Sequence, residues 1–118
     1  MLDRRLRGRE VHGEFSGNSG GTVELFDLDG ESVSIEAFER LVVTDIIVVS
    51  EATGAISLTF GAPASGKYIV RGQFAANGGV ATSFGTVPRY GPLGAGVQCA
   101  GPAGQNISVI LTGMIYKG

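Results

Sequence analysis

The chain has 118 residues, enough for one domain whose folding buries roughly two-thirds of its accessible surface. Charged residues make up 17% of it, against about 25% in ordinary soluble domains, and the formal net charge of −2 gives no general drive toward nucleic acid. No run approaches the ~18 apolar residues of a membrane helix, so the surplus hydrophobicity is expected at subunit contacts rather than in lipid.

Charge is unevenly placed. Residues 1–51 carry five basic and all eleven acidic residues, a net of −6. The remainder holds only Lys67, Arg71, Arg89 and Lys117, a net of +4. Residues 1–10 gather Arg4, Arg5, Arg7 and Arg9 and read as an extended basic arm, ahead of a β domain over 11–118. One reading is a solvated, disordered end; the other is a docking arm, for which a planar guanidinium suits bidentate bonds to carboxylates or carbonyls, and these four arginines are then the candidate partner-binding residues. Four cations without an aromatic stacking platform are a small footprint for nucleic acid and argue against it. No apolar segment follows them as in a secretory signal, so cytoplasmic synthesis is expected.

Gly17 to Gly21 reads as a flexible loop. Its Ser19 satisfies a G-x-S-x-G spacing, but a nucleophile needs a base and an orienting acid, and His12 is the sole histidine. Val23 to Phe26 alternates as a strand and leads into an Asp29-Gly30 turn, with Val33–Ile35 a short return strand. Asp27-Leu28-Asp29-Gly30 also echoes the start of a calcium loop, but Phe38 stands where the bidentate Glu belongs. Residues 36–40 read as one helical turn or a loop.

Leu41 to Val49 is the strongest strand signal, rich in β-branched residues. Simple alternation puts Leu41, Val43, Asp45, Ile47 and Val49 on one face and Val42, Thr44, Ile46 and Val48 on the other. Both faces are largely apolar, so one is expected in the core and the other against a partner. Asp45 among aliphatics needs compensation: a hydrogen bond at an edge or interface, or an ion pair with Arg71 or a neighbouring subunit's arginine.

Turn signals then fall twelve residues apart at Thr53-Gly54, Ser65-Gly66 and Asn77-Gly78. They bracket strands at 55–60, 67–74 and 80–84, with Asn77-Gly78 the strongest hairpin signal. Gly61 to Lys67 matches a P-loop up to its lysine, but Tyr68 replaces the Mg²⁺-binding hydroxyl and the following pattern is a strand, so a hairpin loop is expected. Residues 85–105 form a Gly/Pro-rich excursion with one short strand near Val97–Ala100. Cys99 there has no thiol to pair with and reads as core packing. The last strand places Ile107, Val109, Leu111 and Ile115 on one face and Ile110, Met114 and Tyr116 on the other.

Short strands with regular turns predict an all-β protein, a jelly-roll-like antiparallel sandwich of roughly eight strands. The run from Lys67 to Gly79, the Gly/Pro excursion and Val109 to Ile115 resemble small jelly-roll surface proteins of tailed-phage virions. That resemblance spans residues 40–118 and lies in texture and strand order. It implies a non-enzymatic decoration or cement protein, trimeric, synthesised in the host cytoplasm and resident on the capsid surface. Its partners would be further copies of itself and a major capsid protein, with no cofactor, metal or membrane. The competing reading is a receptor- or carbohydrate-binding head of a fibre or tail appendage, for which Tyr90 is the best candidate among few loop aromatics. A cupin-type enzyme on the same fold needs several His and carboxylate ligands, which one histidine does not supply.

Overall fold

A computed structural model describes residues 8–51, 53–85 and 87–117. They form β1 (Arg9–Asn18), β2 (Gly20–Phe26), β3 (Ser32–Val33), β4 (Glu39–Ser50), β5 (Gly54–Phe60), β6 (Tyr68–Phe74), β7 (Gly79–Ser83), β8 (Arg89–Tyr90), β9 (Val97–Ala100) and β10 (Asn106–Lys117). Every strand pair is antiparallel. The expected all-β antiparallel sandwich is what the chain forms, with ten strands among the described residues rather than eight.

Neighbouring strands run β6-β5-β9-β2-β1-β10-β4-β7, nearly closing into a barrel. The corner is β2. Its first half, Gly20 to Val23, pairs with β9, while Glu24 to Phe26 pair with β1. One strand therefore serves two layers. The first layer is built on β1, β10 and β4, with β7 and β8 along the far side of β4. The second is β9, β5 and β6. Between them lie Leu41, Val43, Ile46, Val48, Val109 and Leu111 from the first layer and Ile56, Leu58, Val97 and Cys99 from the second. Each such aliphatic side chain contributes about 1.5–3 kcal/mol by leaving water. Cys99 packs as expected, and burial pushes its thiol pKa up.

Several local expectations are corrected. Gly17 to Gly21 is a tight hairpin tip rather than a flexible loop. Ser19 takes φ +68° at the apex, and its N–H donates to the Gln105 carbonyl at 2.9 Å. Its carbonyl and hydroxyl accept from the Gly101 and Gly104 N–H groups, so the G-x-S-x-G serine is spent on holding the loop before β10. Gly20 is required there: its φ is +124°, and a Cβ would collide with the Cys99 carbonyl. Residues Arg9–Asn18 form the strand β1, so Arg9 and Glu10 belong to the sheet rather than to an extended arm.

Asn77-Gly78 makes a turn, with Asn77 at φ +59°, but no hairpin. Strand β6 pairs with β5, and β7 pairs with β4 in the other layer. The Gly78 carbonyl instead accepts the Ser50 N–H at 2.9 Å, tying the turn to the end of β4. Gly61 to Lys67 is a hairpin loop between β5 and β6 with a 3₁₀ turn at Pro63–Ser65, as its context predicted.

The faces of β4 also differ from simple alternation. Thr112 faces Asp45, but Gly113 faces Val43, so Thr44 is an extra residue on β4. This bulge resets the phase. Leu41 and Val43 point inward before it, and Ile46, Val48 and Ser50 after it. Asp45 is thereby sent outward with Ile47 and Val49, away from the face on which Leu41 and Val43 lie. Gly113 makes the close approach possible, because a Cβ would strike the Val42 carbonyl.

Candidate interaction surface

The first layer turns one face to the core and the other to solvent. Pairing register places the outward residues in rows. One row runs Glu24, Glu14, Ile110, Ile47, Ala81 from β2 to β7. On one side of it lie Ser16, Ser108, Val49 and Gly79. On the other come Phe26, His12, Thr112, Asp45 and Ser83, and then Glu10, Met114, Val42 and Tyr90. Ile110, Ile47 and Val49 are 49%, 45% and 44% exposed and adjacent. Central strands end up with aliphatics in water because a strand's two faces are set by period two, and both faces of β4 and β10 carry aliphatics.

Acids flank this stripe. Glu14 and Glu24 sit directly opposite each other on β1 and β2, a like-charge pairing that sheets disfavour. His12 lies 3.6 Å from Glu14 and stacks on Phe26 with ring centroids 5.4 Å apart. The Asp27–Glu31 turn beyond is closed by the Asp27 carboxylate, whose Oδ1 accepts the Asp29 and Glu31 N–H groups at 2.9 Å each. That is the hairpin role its Asp-Gly predicted. Among the described residues no group of three or more His, Cys, Asp or Glu side chains is gathered as for a metal ion.

Asp45 resolves toward the plainer of its two readings. Its Oδ2 accepts the Thr44 hydroxyl at 3.0 Å and the Thr112 hydroxyl at 2.9 Å. Hydrogen bonds from Ser83, Thr112 and Thr44 hold its carboxyl below the usual range. Arg71 is not its partner: it lies over the Tyr68 ring at 4.6 Å on β6 in the other layer. The bulge at Thr44 explains both the outward position and one of the donors.

Of the four candidate arginines, Arg4, Arg5 and Arg7 lie outside the described residues. Arg9 is engaged within the chain. Its Nη2 reaches Glu39 Oε2 at 3.0 Å, and the Glu39 side chain is only 7% exposed. The other Glu39 oxygen accepts the Glu36 N–H at 3.0 Å. The sequence held no sign of this pair, since Glu39 precedes the apolar run and looks like a loop residue. At the same end of the first layer, Phe38, Tyr90, Leu93 and Val87 are exposed, with Lys117 over the Phe38 ring at 5.6 Å.

No helix among the described residues is long and apolar enough to cross a membrane. Compared with known proteins, the chain matches no protein family, no curated protein and no solved structure.

Proposed function

We propose that this chain is a non-enzymatic structural protein of a tailed-phage virion, a decoration or cement protein that assembles as a trimer and stabilises the capsid through protein contacts. The observation that carries the assembly part is the exposed stripe of Ile110, Ile47 and Val49 on the central strands of the first layer. Contiguous aliphatics on an otherwise well-packed sheet are the usual mark of an interface. A closed three-fold arrangement covers such a stripe without open polymerisation. The virion part rests on the resemblance of residues 40–118, and the arginine-rich start supplies a second contact for a capsid protein.

Light scattering on the purified chain is the test of assembly. A trimer is expected, and Ile47→Lys with Ile110→Lys should return it to a folded monomer. A monomeric wild type at all concentrations would sink the interface argument. Particles banded from the source's lysate should contain the chain, and particles lacking it would remove the virion role.

A receptor- or carbohydrate-binding head is the second reading, favoured by Tyr90 at 64% exposure. Selective binding on a glycan array, lost with Tyr90→Ala, would support it over the cement role.

A further inference from the structure

The sandwich is closed on one side only, where β2 passes from one layer to the other. On the opposite side lie β6 and β7, the two ends of the strand order. Among the described residues β6 pairs with β5 alone and β7 with β4 alone. Their inward side chains, Val70 and Phe74 on β6 and Val80 on β7, pack on the core but stay partly exposed. Two strand edges therefore stand unpaired beside incompletely covered apolar side chains. An unpaired edge is a template for another strand. Neither strand contains proline and β7 carries no charge, so the usual protections of an edge are sparse.

The hydrogen-bond phase identifies the free groups of β7. The Ser50 N–H donates to the Gly78 carbonyl at 2.9 Å, and the Phe84 N–H to the Thr44 carbonyl at 2.8 Å. Bonding residues alternate along an antiparallel ladder, so Val80 and Thr82 are spent on β4. Gly79, Ala81 and Ser83 turn their N–H and C=O groups to the open edge, and all three residues are exposed. Successive pairs along the order of eight strands are antiparallel, so its first member, β6, and its last, β7, run in opposite directions. They suit each other as antiparallel partners, which is the pairing the Asn77-Gly78 signal predicts. Within one chain it does not form, because the turn leads β6 and β7 into different layers.

We infer that this pairing forms between copies: β7 of one chain adds to β6 of the next. The inference rests on the self-assembly part of the proposed function. It supplies what a three-fold ring needs, two different patches on each subunit. It also extends the exposed row that runs through Ile47 and ends at Ala81 on β7. Joining β6 to another β6 would bring Lys67 and Arg71 against their own copies, and sheets disfavour like charges across a strand pair. Joining β7 to another β7 would leave both β6 edges open to further chains. A β7–β6 contact repeated around a ring leaves neither edge open.

Two edge-blocked variants test it by solution mass. Ala81→Pro removes an N–H that faces the open edge and leaves the β4 ladder intact. Gly72→Lys puts an inward charge on β6, where a Cβ meets only Phe74 at 3.7 Å. Each variant alone should self-associate at least about ten-fold more weakly than the wild type. An equal mixture should form one-to-one pairs, with β6 of the Ala81→Pro chain joined to β7 of the Gly72→Lys chain. Circular dichroism checks that both are folded. If Ala81→Pro is not, Thr82→Lys replaces it, an inward lysine on the same strand opposite Ile46. Unchanged assembly of the β7-blocked chain would overturn the inference. So would a Gly72→Lys chain that still dimerises, since that joins β7 to β7, or a mixture that stays monomeric. The wild-type mass separates the two ideas. A trimer untouched by either block keeps the trimer and ends the edge pairing. An open row of copies, broken by both blocks and paired in the mixture, keeps the edge pairing and ends the trimer.

Discussion

Leu111 and Ile110 are chain neighbours of like size on β10, yet one is 1% exposed and the other 49%. The same contrast recurs on β4, where Val48 is fully buried and Ile47 is 45% exposed. The inner set is held by packing between layers. The outer set is left about half exposed among the described residues and gains further when something covers it. Composition alone does not separate the two sets. Only the phase of each strand against its neighbours does.

The largest effect should come from the inner side. Leu111→Ala removes buried contacts and leaves a cavity, at a cost of about 2–5 kcal/mol, read as a lowered urea midpoint. Ile110→Ala should change the isolated chain's stability by no more than about 0.5 kcal/mol. The same substitution should weaken self-association. Equal losses of stability from both would erase the distinction between the faces.

The phase itself can be attacked at the bulge. Gly113→Ala pushes a methyl group into the Val42 carbonyl across the strand pair. The strands must separate or slip there, at a cost of about 1–3 kcal/mol. Because the bulge sets which residues of β4 point inward, this variant should also raise amide exchange at Thr44 and Asp45. Unchanged exchange and stability would mean that the bulge is not held by the close approach at Gly113.

A smaller effect is expected where the inner side ends. Arg9→Ala leaves the Glu39 carboxylate with the Glu36 N–H and little water. The arginine is half-exposed, so screening reduces the loss to about 1 kcal/mol. Arg9→Lys should recover part of it, and a thermal melt of the three proteins is enough to rank them.

The alternation of β10 was legible because no irregularity interrupts it from Ile107 to Tyr116. That of β4 was legible only on either side of Thr44, since no residue type announces an inserted position. Strand β1 was missed because Gly13, Gly17 and its acids dilute the β signal; its reason for being a strand lies in β10 and β2. Asn77-Gly78 announced a turn correctly, but a turn does not name the strand its successor will pair with. The outward stripe was anticipated from two-faced apolar strands. The hollow lined by Leu28 and Met114 was not, since it depends on where the β2–β3 turn comes to rest.

The smallest prediction concerns the outward acid. Three hydroxyl donors favour the ionised form of Asp45, so its folded-state pKa lies below the ordinary 3.8. Unfolding restores the ordinary value, so near that pH the unfolded chain binds protons that the folded chain does not. The stabilisation is therefore complete above the unfolded-state pKa and is lost as pH falls through the lower, folded one. Asp45→Asn keeps the shape but removes this dependence. The wild type should be slightly more stable than the variant at neutral pH, with the difference closing in the acid range below about pH 4. Because hydroxyls rather than a cation hold the carboxylate, added salt should barely change that difference. A gap that shrinks strongly with salt would point instead to a neighbour's arginine at Asp45, a contact between copies.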